Sequence, residues 1–248
     1  MYFWGGTFHT LSNFAPMENL LLLHGALGSA AMLAPLKEAL QRSYNVYTLD
    51  FSGHGGRPLP QESFSMQRFV QDIRQFLEEQ QLEQTHIFGY SMGGYAALSL
   101  ALEQPERIRS IYTLATKFSW SVEAAEKETR VLEPERVEEK VPAFAATLAQ
   151  RHAPQDWKQV MRQTASMMRA LGQSPLLTPD TLPQLQLPVQ VAVGDRDNMV
   201  TVEETLWAYR LLPDARLQVL PNTRHPFETL SIPDLSQHIR QFLEQVSR

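Results

Sequence analysis

The chain contains no cysteine, which excludes disulfide frameworks, zinc–thiolate centres and thiol nucleophiles together. Long hydrophobic runs are missing as well. The longest early one is Leu20 to Leu23, against the roughly 20 residues a spanning helix needs. The N-terminus lacks the basic stretch followed by an apolar segment that marks a secretory signal. Nor is there an excess of positive charge: 22 Lys and Arg face 27 Asp and Glu, a net charge of −5, where a nucleic-acid binder usually carries a basic face. These absences lead us to expect a soluble cytoplasmic protein that engages neither membrane nor nucleic acid. They leave the oligomeric state open.

What is present suits a globular chain. Its 248 residues are 43% hydrophobic and 20% charged, enough for one large α/β domain or one domain with an insertion. Short apolar runs alternate with segments of helical period. The expected strands are Asn19–Leu23, Tyr44–Leu49, Thr85–Phe88, Ser110–Leu114, Val189–Val193 and Arg216–Leu220. Near-continuous apolar runs suit strands buried on both faces, as in parallel sheets. Met66, Phe69, Val70, Ile73, Phe76 and Leu77 form one helical stripe, and Ile232, Leu235, Ile239, Phe242, Leu243 and Val246 another. The alternation predicts a doubly wound, mostly parallel sheet. Near the start, Tyr2–Trp4 and Phe8–Leu11 flank Gly5-Gly6, an expected hairpin. The rhythm breaks after residue 115 and resumes at 188. Residues 1–115 and 188–248 therefore read as the core, and 116–187 as a helical insertion over one end of the sheet.

The strongest chemical signal is Gly89-Tyr90-Ser91-Met92-Gly93-Gly94, directly after an expected strand. This is G-x-S-x-G between strand and helix, where a sharp turn would expose the Ser91 hydroxyl at a helix N-terminus. Gly89 and Gly93 would remove side chains that collide in such a turn. A serine hydroxyl needs a base to take its proton. His225 follows the strand ending at Leu220, and Gly194-Asp195-Arg196-Asp197 follows another; loops at the C-terminal ends of strands are where open α/β sheets build sites. Asp197 is the expected partner of His225, and Asp195 the residue that holds the turn or pairs with Arg196.

Ser91, Asp197 and His225 in that order, His24-Gly25-Ala26-Leu27-Gly28 after the first strand, and Asp50-Phe51-Ser52-Gly53-His54-Gly55 after the second make the chain resemble the α/β-hydrolase fold family. The resemblance spans nearly the whole chain and places the insertion in the family's cap position. It implies backbone N–H groups of Ala26 and Met92 as an oxyanion hole, and loop-organising roles for His24 and His54. It implies no cofactor and no metal. Arg57 stands where serine is common, Arg224 where glycine commonly precedes the histidine, and Tyr95 where the related lyases carry arginine. His24, Tyr90, Phe118 and Trp120 are candidate substrate contacts; Phe144, Trp157, Met161, Met167 and Met168 are further candidates for an acyl pocket or for packing. The implied activity is hydrolysis of a small carboxylic ester through an acyl-enzyme. A carbon–carbon bond hydrolase, a lyase of the menaquinone-pathway type and a non-catalytic binder of small ligands are the alternatives.

Overall fold

In a computed structural model that describes residues 17–247, six strands form one sheet: β1 (Asn19–Leu23), β2 (Asn45–Leu49), β3 (Thr85–Tyr90), β4 (Ile108–Leu114), β5 (Val189–Gly194) and β6 (Ala215–Leu220). Their order is β2-β1-β3-β4-β5-β6, and every pairing is parallel. The expected hairpin near the start lies outside the described residues. Helices cover both faces: α1 (Ala34–Leu40) and α9 (Ile232–Val246) on one, α2 (Met66–Glu79), α3 (Met92–Glu103) and α8 (Val202–Leu211) on the other.

The strand period of two explains why four consecutive leucines are needed in β1. Leu20 and Leu22 pack with Leu36, Leu40, Ile239 and Phe242 beneath α1 and α9. Leu21 and Leu23 point the other way and join Phe69, Ile73 and Ala97. Helix α2 starts where Ser65 Oγ accepts from the Arg68 N–H at 3.1 Å, relieving one of the unpaired donors of the first turn. Its stripe of Met66, Phe69, Val70, Ile73 and Leu77 is buried, each such side chain contributing about 1.5–3 kcal/mol.

Between β4 and β5 the chain forms α4 (Val122–Thr129), α5 (Pro134–Lys140), α6 (Pro142–His152) and α7 (Trp157–Gln173). Pro134 and Pro142 open their helices, where a missing N–H costs nothing. Polar ties fix this segment to the sheet layer. Arg151 donates to the Leu27 carbonyl at 2.9 Å, Phe64 N–H donates to Gln163 Oε1 at 2.9 Å, and the Leu176 and Leu177 N–H groups donate to the Tyr95 hydroxyl at 2.9 and 3.0 Å. Because β1 lies between β2 and β3, connections depart in opposite directions there. The loops after β1 and β3 flank that switch point, the crevice where such sheets bind ligands.

Candidate active site

One residue makes the turn from β3 into α3. Ser91 has φ 51° and ψ −116°, a region that costs a non-glycine residue on the order of 1–3 kcal/mol. The flanking glycines make the turn possible. A Cβ on Gly89 would lie 2.4 Å from the Gly94 Cα, and one on Gly93 would lie 2.7 Å from the Leu23 and His24 carbonyl oxygens. Helix α3 therefore presses its N-terminus against β1 and β3. The turn is held by backbone: Ser91 N–H donates to Leu114 O at 2.8 Å, and Ser91 O accepts from Gly94 N–H and from Thr116 Oγ1, each at 3.0 Å. The Ser91 side chain caps nothing, whereas Ser65, Ser121, Asp156 and Thr201 all cap the helices they precede. Among the described residues its hydroxyl is spare.

The loops after β5 and β6 bring an acid to a histidine. His225 Nδ1 donates to Asp197 Oδ2 at 2.7 Å, while Asp197 Oδ1 accepts from the Met199 and Val200 N–H groups at 2.8 and 2.9 Å. The Asp197 side chain is 1% exposed. A carboxylate only accepts, so in the neutral ring Nδ1 carries the hydrogen and Nε2 keeps its lone pair. The Tyr90 hydroxyl donates to the His225 carbonyl at 2.6 Å, and burial raises its pKa, keeping it a donor. Asp195 serves the loop: its Oδ1 accepts from Thr223 N–H at 3.2 Å.

Ser91 and His225 line one cavity together with Ala26 and Met92. Met92 is the first residue of α3, where N–H groups have no helical acceptor. Among the described residues no backbone carbonyl outside the regular elements accepts from Ala26 or Met92. Met66, Tyr95, Met167, Met168 and Leu171 supply apolar walls. The space is narrow, with about 40 Å³ open to water, room for a few molecules.

The structure corrects the expected contacts. Of His24, Tyr90, Phe118 and Trp120, only Trp120 lines the cavity. Phe118 is buried in the core, its N–H held by Glu204 Oε1 at 2.7 Å, while the preceding Lys117 lines the cavity. Tyr90 reaches the His225 loop, as above. His24 is buried; its Nδ1 donates to Gly25 O at 2.7 Å and its Nε2 accepts from Phe51 N–H at 3.2 Å. Both ring nitrogens are used, and burial pushes its pKa down to about 4. Trp157 and Met161 are core residues and Phe144 is exposed. Arg57 sits within 3.3 Å of buried Asp72 and donates to Asp50 O at 2.9 Å. Sequence reasoning did not place Lys117, Glu128, Met199 or Val200 at the cavity, yet all four line it. Among the described residues no three His, Asp or Glu side chains are grouped to hold a metal ion, and no helix is long and apolar enough to cross a membrane.

A family model described as alpha/beta hydrolase fold matches residues 18–227. The chain belongs to the α/β-hydrolase family. Among curated relatives of this α/β hydrolase, a pimeloyl-(acyl-carrier protein) methyl ester esterase from Aeromonas hydrophila is 33% identical over 108 residues, 43% of this chain and 41% of that protein. The match thus spans about two fifths of that relative. The protein of the same name from Aliivibrio fischeri is 26% identical over 251 aligned positions, covering 92% of this chain and 94% of its own. Among solved structures, a thermophilic esterase from Thermogutta terrifontis, with malate bound, superposes with a TM-score of 0.72 at 26% identity, covering 92% of this α/β hydrolase and 90% of the esterase.

Proposed function

We propose that this α/β hydrolase is a serine esterase for small carboxylic esters, with Ser91 as nucleophile, His225 as base and Asp197 as the acid that orients it. The observation that carries this reading is the 2.7 Å bond from His225 Nδ1 to Asp197 Oδ2, on a ring that shares a cavity with an uncapped, strained serine. Ser91 Oγ attacks the ester carbonyl carbon while its proton passes to His225 Nε2. The resulting oxyanion accepts from the Ala26 and Met92 N–H groups, aided by the positive end of α3. Collapse breaks the ester C–O bond, and the departing alkoxide takes the proton from Nε2 and leaves as alcohol. Water then attacks the acyl-enzyme, gives its proton to Nε2, and the carboxylic acid departs as Ser91 recovers its hydrogen. Asp197 stabilises the imidazolium and stays ionised throughout. Residues 116–187 serve as the cap over this site.

The names of the relatives support an ester substrate, and so does the cavity's charge. Its cation, Lys117, lies beside Glu128 and Glu204, so it offers no net positive charge to an anionic substrate of a lyase. The deciding experiment is labelling with a fluorophosphonate, alongside release of nitrophenol from short acyl esters. We expect label on Ser91, none on Ser91→Ala, and steady turnover by the unsubstituted protein. Folded protein that takes no label would leave a ligand binder; label without ester turnover would point to carbon–carbon cleavage or the lyase.

A further inference from the structure

The wall of the cavity contributed by the loop after β4 and by α4 differs from the rest. Lys117 and Glu128 face the same space as Ser91, with Lys117 Nζ 3.7 Å from Glu128 Oε1 and 3.4 Å from Glu204 Oε2. The two carboxylates are held differently. Glu204 Oε1 accepts from the Phe118 and Ser119 N–H groups, both at 2.7 Å, so Glu204 is fastened to the loop. Among the described residues Glu128 has only the 3.7 Å contact, beyond ordinary hydrogen-bond length, although its side chain is 9% exposed. Beside them, Lys117 Nζ lies 5.9 Å from the centroid of the Trp120 ring, and among the described residues the buried Trp120 Nε1–H has no acceptor. The pocket wall thus holds an acceptor and two donors that the described residues leave incompletely paired. Burying polar groups in that condition is unfavourable.

We propose that Lys117, Glu128 and Trp120 form a polar subsite that selects esters bearing a neutral group able both to donate and to accept a hydrogen bond, a hydroxyl or a carboxamide, on the part of the substrate that enters the cavity. Such a group accepts from Lys117 or Trp120 and donates to Glu128. A plain alkyl chain pushed against the same wall strips water from the ion pair and returns nothing. A carboxylate meets one cation flanked by two anions, a local charge of the wrong sign. The assignment rests on the serine esterase reading and specifies its substrate.

The test compares ω-hydroxyacyl nitrophenyl esters of increasing length with alkyl esters of the same number of heavy atoms, and with ω-carboxyacyl esters. The readout is the ratio of kcat/KM for each pair. A ratio taken on one sample is insensitive to how much of a variant is folded. An apolar pocket disfavours the hydroxyl at every length, by roughly tenfold or more. We expect the unsubstituted protein to prefer the hydroxyl ester by about tenfold at one length, and the carboxylate ester to remain slower than the hydroxyl ester throughout. The preference should collapse to unity or below in Glu128→Leu and Lys117→Met. Trp120→Phe, which removes one N–H, should reduce it less. A preference for alkyl esters at all lengths, a preference for carboxylates, or a hydroxyl preference unchanged in these variants overturns the proposal. Fluorophosphonate labelling of the same samples separates the two levels: label with an unselective ratio defeats the subsite alone, and no label defeats the esterase with it.

Discussion

Two sets of histidines border the crevice at the end of β1 and β3, and they are built in opposite ways. His225 has a carboxylate on Nδ1, Asp197, itself fixed by two backbone N–H groups. His24 and His152 are buried against His54 on either side, with ring centroids 5.2 Å apart for His24 and His54 and 5.5 Å for His54 and His152. Their nearest polar partners are mostly backbone: Gly25 O and Phe51 N for His24, Ser52 O for His54, Gly55 N for His152. Burial pushes all three downward, His24 and His152 to about 4. A carboxylate partner equips a ring to hold a transient positive charge, whereas burial among rings keeps it neutral until well below the usual histidine range. Placement near the crevice is therefore a poor guide to chemistry.

Substitution should break this contrast most visibly at the carboxylate-linked histidine. For His225→Ala we expect ester kcat to fall by about 10⁵-fold or more, with a urea unfolding midpoint close to that of the unsubstituted protein. Asp197→Asn should lose on the order of 10⁴-fold, since an amide no longer selects the tautomer with hydrogen on Nδ1. Stopped assays at matched concentration of folded protein, checked by circular dichroism, give both numbers. A His225→Ala protein retaining a tenth of the activity would assign the proton transfer elsewhere.

That contrast was only partly legible in the amino-acid order. The strands were legible because parallel, doubly buried strands need unbroken apolar runs, and Leu20–Leu23 is one. The Ser91 turn was legible because its steric demand is met by residues two positions away on either side, Gly89 and Gly93. Asp197 and His225 could be placed because each follows the end of a strand. The cavity walls could not. Lys117 and Glu128 are brought together by the course of α4, and Glu204 joins them from α8; no local period ties them. Phe118 and Trp120 look alike as aromatic candidates two positions apart, and only the irregular course of the loop after β4 sends one to the core and the other to the cavity.

The buried cluster should show itself in stability. His24→Ala removes the acceptor of the Phe51 N–H and the edge packing of the His24 ring on Phe51, and we expect a loss of about 3 kcal/mol by urea titration. Acid should act on the same cluster. In the unfolded chain histidine takes a proton near 6.5, while His24 and His152 in the fold resist it until about 4. The unfolded state thus binds more protons between those values. Stability from these residues is complete above pH 6.5, falls as pH drops toward 4, and levels off below. Unfolding midpoints measured across that interval should trace the decline; a flat profile would mean the rings are charged in the fold.

His54 sharpens the comparison with the smallest substitution. Its ring stacks on Phe64 at 5.4 Å and meets Phe69 edge-on at 5.7 Å, and among the described residues its buried Nε2 has no partner. His54→Phe surrenders the Nδ1 bond to Ser52 O, worth about 1 kcal/mol, and removes an unpaired nitrogen that costs about as much to bury. At pH 7 the two changes should cancel to within about 1 kcal/mol. At pH 5 they no longer cancel, because the unfolded wild-type chain gains a proton at this position and the variant cannot. The variant should then be the more stable protein, with a shallower pH profile and unchanged fluorophosphonate labelling of Ser91. The equivalent exchange at His225 would keep the fold and abolish turnover. That pair of outcomes would trace the difference in role to what is bonded to Nδ1, a carboxylate at His225 and a backbone carbonyl at His54.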